Sequence, residues 1–168
     1  MGFHMAVLNM NSPLELGFCV ADLDASLAFW RDGLGLTFVS DISTDERAAV
    51  ESGFAHCGYR VIRLQLPTGE RIKLFAPATK MTSGHERPRP LERVGLAFLT
   101  LIVKDLAGTL ALLAPKGIVP RSPSYELRAG VFVALVDDPD GNVVELVQYA
   151  DIRAYRRDTH FTSVTEAI

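Results

Sequence analysis

The residues in this sequence best suited to chemistry are two glutamates and a lysine that strand alternation turns to one side. Successive side chains of a strand point to opposite faces, so the apolar set marks the core face and the other set lines whatever the sheet encloses. Around Glu15 the core set is Leu16, Phe18 and Val20, which turns Glu15, Gly17 and Cys19 the other way. In Tyr59 to Leu66 the core set is Ile62, Leu64 and Leu66, leaving Val61, Arg63 and Gln65. Lys73 and Phe75 oppose Ile72 and Leu74, and Phe98, Thr100 and Ile102 oppose Ala97, Leu99 and Leu101. Val143, Glu145, Val147 and Tyr149 oppose Val144 and Leu146. The expected cup has apolar walls carrying Glu15, Glu145, Lys73 and Arg63. Such a set suits proton transfer: Glu145 and Glu15 act as base and acid on opposite sides of a carbon acid, while Lys73 stabilises a developing enolate or alkoxide. Arg63, Gln65, Phe75, Phe98, Thr100 and Tyr149 are the expected substrate contacts.

The elements that must position these residues come from an internal repeat. The alternating segment Glu15 to Leu23, ending in Asp22-Leu23, returns as Phe98 to Leu106, ending in Asp105-Leu106, 83 positions later. A helical stripe follows each: Leu27, Trp30 and Leu34, with Asp24 as N-cap and Gly33 and Gly35 as stop, then Leu106, Leu110 and Leu113, stopped by Pro115 and Gly117. The closing hairpins also match, Pro67-Thr68-Gly69 against Pro139-Asp140-Gly141, 72 positions apart. In both, a fixed φ precedes a residue that tolerates positive φ, which suits a tight reversal. The strands before them read Tyr59 to Leu66 and Val131 to Val136. Thr37 to Ser43 is a further strand, 44–54 an insertion holding a short helix capped by Thr44 or Ser43, and 118–127 an edge strand limited by Pro120 and Pro123. The fold class is therefore α+β, two tandem βαβββ modules curving mixed sheets around a cup. Residues 1–12 form an N-terminal extension, with a tag remnant at 1–4. The modules span 13–78 and 93–150, the linker 79–92 and a C-terminal tail 151–168.

Composition narrows the partners. With 17 basic against 20 acidic residues and a net charge of −3, the chain has no basic excess for nucleic acid. The longest apolar run, Val94 to Val103, is too short and interrupted to span a membrane. Two cysteines, Cys19 and Cys57, give neither a disulfide framework nor a zinc spacing, which fits a cytoplasmic setting. Several eye-catching features read as structure: Trp30 as core packing, Gly33 and Gly35 as a helix end, and Asp137, Asp138 and Asp140 as a turn instead of a calcium loop. Cys19 reads as packing, and Arg153, Arg156 and Arg157 as a solvated or subunit-contact tail.

From about Leu14 to Tyr149 the sequence resembles the vicinal oxygen chelate superfamily, which includes glyoxalase I, bleomycin resistance proteins, extradiol dioxygenases and methylmalonyl-CoA epimerase. The likeness is carried by DLDASLAFWRDGLGL after the first strand and DDPDGNVVELVQ at the end. Members typically bind one divalent metal through His, Gln or Glu at four positions, one on the first and one on the last strand of each half. Here those positions fall on Glu15, Lys73, Phe98 and Glu145. An ammonium group and a phenyl ring are not metal ligands, so no cofactor is expected, with a divalent metal at Glu15 and Glu145 as the alternative.

The resemblance implies a glyoxalase-like isomerase, epimerase or lyase acting by proton transfer on a small carbonyl- or carboxylate-bearing molecule, its metal site degenerate. One alternative is a metal-free small-molecule or antibiotic-binding resistance protein, for which Phe75, Phe98 and Tyr149 would be stacking surfaces. Another is a metal-dependent glyoxalase or dioxygenase that recruits His56, Cys57 or His85. The expected partner is a small-molecule ligand, with no nucleic acid and no membrane, and the expected assembly is a homodimer.

Overall fold

The computed structural model describes residues 11–81, 89–92 and 94–156. His85 and Arg157 lie outside them. The order is β1 (Glu15–Cys19), α1 (Leu23–Leu27), β2 (Thr37–Thr44), α2 (Glu46–Glu51), β3 (Tyr59–Gln65) and β4 (Arg71–Pro77), then β5 (Leu99–Ile102), α3 (Leu106–Leu113), β6 (Tyr125–Arg128), β7 (Val131–Asp137), β8 (Val143–Tyr149) and α4 (Ile152–Tyr155). Two open four-stranded mixed sheets result, ordered β1-β4-β3-β2 and β5-β8-β7-β6. The identical order, with one parallel pair and two antiparallel pairs in each, is the structural form of the sequence repeat. The fold is α+β, as the pattern predicted.

Packing divides the chain into two compact units. One holds β1, β2, α2, β3 and β4, and the other holds α1 with all elements from β5 onward. In the first, Ile62, Leu64, Ile72 and Leu74 are buried on one sheet face, the face that alternation assigns to the core. In the second, Ala134, Val136, Val144 and Leu146 play that part. Val61, Val143 and Val147, expected to look into a cup, are also buried. Val61 sits across from Ile42 and Phe75, and Val147 between Ile102 and Val133, so larger or flanking apolar neighbours shade them.

Local chemistry sets the helix ends. The carboxylate that caps α1 is Asp22, accepting from the Ala25 N–H at 3.0 Å, and not Asp24, which lies in the first turn. Asp22 has the extended backbone an N-cap requires, and Asp105 repeats the cap on α3. Asp45, not Thr44 or Ser43, caps α2. α1 continues as a π-helical stretch, Ala28–Gly33, in which Leu34 N–H donates to the Phe29 carbonyl at 2.9 Å. Trp30 is fully buried there. The exposed carbonyls at its end receive Lys116 Nζ, 2.7 Å from Asp32 O and 3.1 Å from Gly33 O, a cation where the helix dipole is negative.

Two of the three aspartates that mimic a calcium loop, Asp138 and Asp140, belong to the β7–β8 turn, whereas Asp137 ends β7 and pairs with Arg121 at 2.6 Å. Asp138 Oδ1 accepts the N–H groups of Asp140 and Asn142, and its Oδ2 accepts Asn142 Nδ2 at 2.9 Å. Gly141 supplies the positive φ, +86°, as Gly69 does at +104° in the matching β3–β4 turn. Asp140 Oδ1 accepts from Ala21 N–H at 3.1 Å, tying this turn to the start of α1.

Two outcomes follow for stability. A Cβ on Gly33 would lie 2.3 Å from Ile118 Cδ1, so Gly33→Ala should lower unfolding free energy by about 1–3 kcal/mol through overpacking. Ile118→Val, which removes that methyl, should recover part of the loss in the double variant, and additive costs in denaturant melts would contradict this. Burial pushes the Asp138 carboxyl up, with hydrogen bonds from Asn142 opposing it. The folded form then holds its proton more tightly than the unfolded form. Stability should fall as pH rises from about 4, the ordinary carboxylate value, through the raised folded value. The urea midpoint of Asp138→Asn should lack that component of the slope, and parallel pH profiles for both proteins would refute it.

Candidate ligand-binding site

Parallel pairing of β1 with β4 sets Glu15 beside Arg71, Gly17 beside Lys73 and Cys19 beside Phe75. Antiparallel pairing of β3 adds Gln65 across from Arg71, Arg63 across from Lys73 and Tyr59 across from Pro77. These residues share one face. At one end lies a polar cluster: Glu15 Oε1 accepts from Arg71 Nη1 and Glu15 Oε2 faces Lys73 Nζ, each at 3.4 Å. Arg71 Nε also donates to Gln65 Oε1 at 3.0 Å. Arg63 Nη1 donates to Ser40 Oγ at 3.3 Å and makes no ion pair among the described residues. Glu15, Arg71 and Lys73 are all partly exposed, so water screens their pairing.

The other end of the same face is apolar. A cavity of about 290 Å³ is lined by Gly17, Cys19, Phe54, Tyr59, Phe75 and Pro77. Phe54 lies nearly parallel to Phe75, centroids 5.9 Å apart at 22°, while Tyr59 meets Phe75 edge-on at 5.5 Å. Gly17 is what lets Phe75 lie close to the sheet, because a Cβ there would stand 3.0 Å from Phe75 Cε2.

In the second unit Glu145 pairs with Thr100 across the parallel β5–β8 ladder, and Thr100 Oγ1 donates to Glu145 Oε2 at 2.7 Å. Glu145 makes no ion pair among the described residues. Tyr149 stacks on Tyr155 of α4, centroids 4.2 Å apart at 11°. Burial, then the Tyr155 hydroxyl, pushes the Tyr149 phenol up. Phe98 is partly buried, one residue before β5 begins. Hydrogen bonds from Thr79, its backbone N–H first and its hydroxyl second, hold the Cys57 thiol below the ordinary value.

Thus Glu15, Lys73, Arg63, Gln65 and Phe75 are brought together on the first sheet, and Thr100 and Glu145 on the second. Phe54 and Tyr59 escaped the sequence reading. Tyr59 was legible, since it has the parity of Val61 and Arg63, whereas Phe54 sits after α2 where no periodicity speaks.

Residues 12–146 match the family model of the Glyoxalase/Bleomycin resistance protein/Dioxygenase superfamily, and the chain belongs to that superfamily. A glyoxalase family protein from Bacillus cereus is similar in structure, with a TM-score of 0.72, 18% identity and coverage of 88% of this chain and 99% of that one. One from Enterococcus faecalis gives 0.60, 19%, 83% and 97%. A glyoxylase/bleomycin resistance protein/dioxygenase domain from a Frankia species gives 0.58, 20%, 84% and 93%. At these identities the likeness concerns fold. No curated protein matches.

The divalent metal that this family implies does not fit the residues present. Glu15 already faces a guanidinium and an ammonium, the second expected ligand position is Lys73 itself, and Phe98 has no donor atom. Among the described residues no group of three or more His, Cys, Asp or Glu side chains could hold a metal ion. No helix among them is long and apolar enough to cross a membrane.

If the polar cluster serves a ligand more than the fold, Lys73→Met should change unfolding free energy by less than about 1 kcal/mol, because the pair is partly exposed and Arg71 remains beside Glu15. A loss of several kcal/mol in denaturant melts would make the cluster structural instead.

Proposed function

We propose that the chain binds a small carboxylate- or carbonyl-bearing molecule on the open face of the first sheet, without a resident metal. The observation that carries this reading is the charge balance of one face: Arg71 and Lys73 both face Glu15, and Arg63, across the ladder from Lys73, makes no ion pair among the described residues. One carboxylate cannot occupy the donors of three cations, and an incoming anion gains charge-assisted hydrogen bonds from those left over. Arginine offers a planar fork for a carboxylate and lysine a compact charge for a carbonyl oxygen. A cytoplasmic setting and a homodimer belong to the same reading.

Glu145 favours a second reading, in which the chain is an isomerase, epimerase or lyase. Thr100 holds one of its oxygens, leaving the other for a proton. In that reaction the proton on the carbon next to a carbonyl passes to Glu145 and the bonding pair moves to the carbonyl oxygen as an enolate. The pair then returns to carbon on reprotonation, or expels a leaving group.

For binding, Lys73→Met should weaken a carboxylate ligand about tenfold, on the order of 1.4 kcal/mol, in titration calorimetry. Unchanged affinity would remove the face from consideration. For chemistry, wild-type protein should exchange the carbon-bound proton of its ligand with deuterium from solvent, and Glu145→Gln should bind the ligand but not exchange it. Equal exchange in both would exclude Glu145 as the base.

A further inference from the structure

The first sheet's open face is polar at one end and aromatic at the other, and the two ends are in register. Lys73 and Phe75 are two residues apart on β4, an interval of about 7 Å along the strand. On β3, Arg63 lies directly across from Lys73, and Tyr59, four residues away, lies across from Pro77 and meets Phe75 edge-on. From this we infer that the ligand is an aryl carboxylate, a single aromatic ring joined to a carboxylate by a short spacer, with the ring among Phe54, Tyr59 and Phe75 and the carboxylate at Lys73 and Arg63. The inference rests on the carboxylate-binding reading of this face and adds the ring to it.

Three features specify a ring instead of a generic apolar group. Phe54 is 65% exposed, although stacked over Phe75, so its outer face is open to a further flat partner. Phe54, Tyr59 and Phe75 present both faces and edges within 6.0 Å of one another, the offset and edge-on geometries in which aromatic groups attract. The cavity, about 290 Å³ and partly open to solvent, exceeds the roughly 150 Å³ that accommodates benzene. A substituted ring has room within it. Gly17 fits the same picture, since a Cβ there would stand 3.0 Å from Phe75 Cε2 and press on the ring.

The test compares three probes with the full chain in titration calorimetry: 3-phenylpropanoate, propanoate and 3-phenylpropanol. The first should bind at least tenfold more tightly than either of the others, and its ring protons should show nuclear Overhauser contacts to Phe54, Tyr59 and Phe75. In Phe54→Ala the ratio of phenylpropanoate to propanoate affinity should shrink severalfold. Phe54→Leu, which keeps an apolar side chain without a ring, should fall between, and circular dichroism checks that both variants fold. Equal binding of phenylpropanoate and propanoate would overturn the ring subsite and leave the carboxylate reading intact. Equal binding of the alcohol and the acid would overturn the carboxylate half. Binding of none of the three would overturn both.

Discussion

The parallel register of β1 against β4 is the constraint on which the first unit's surface depends. Glu15 lies beside Arg71, Gly17 beside Lys73 and Cys19 beside Phe75, and a slip of one residue would exchange every side chain between the faces. Phe18 would then be on the open side and Glu15 among Ile72 and Leu74, where an unpaired carboxylate is very costly. The register is held where the pair begins. Arg71 N–H donates to the Leu14 carbonyl at 3.2 Å just before β1, and the β3–β4 turn closes through Leu66 and Glu70, with Gly69 at positive φ. Burial of Ile72 and Leu74 thus fixes where Lys73 and Phe75 point, and core packing positions the polar cluster without any contact dedicated to it.

The period-two pattern made this much legible from sequence, because a strand with one buried face announces its parity. The repeat announced the topology, and the paired Pro-x-Gly turns announced the hairpins. What pattern could not choose was between neighbours of equal chemistry. Asp22 and Asp24 are both good caps by type, and only the extended backbone at Asp22 decides. Asp45 prevails over Ser43 and Thr44 because β2 runs on through Thr44, which leaves Asp45 as the first residue free to turn. The aromatic cluster was illegible for a different reason. Phe54 meets Phe75 through the path of the chain after α2, and no spacing along the sequence encodes that meeting.

The two halves share a strand order and differ in what they place on it. On the parallel pair of the first half stand Glu15, Arg71 and Lys73, and on that of the second stand Thr100 and Glu145. The equivalent hairpin turns diverge as well: Asp138 and Asn142 build a self-satisfied turn in the second half, while Pro67, Thr68 and Gly69 occupy it in the first. Backbone geometry repeats because hydrogen-bond ladders and core parity tolerate many sequences. Side chains on the open faces are free of that demand, and so they carry what distinguishes one half from the other.

That freedom bears on the metal positions of the superfamily. A ligand set needs lone pairs converging on one point, and substituting an ammonium group for one ligand does more than subtract a bond. Lys73 brings a fixed positive charge next to Glu15, 3.4 Å from its carboxylate, and Arg71 brings a second at the same distance. A divalent cation there would have to displace both or be repelled by both. In the proposed binding mode the same two groups that repel a cation attract an anion, and Phe75, two residues along the strand from Lys73, is an apolar surface in register for the uncharged part of that anion. In that mode, poor fit to a divalent cation and preference for an amphipathic anion are therefore two consequences of the same lysine on the first sheet's open face.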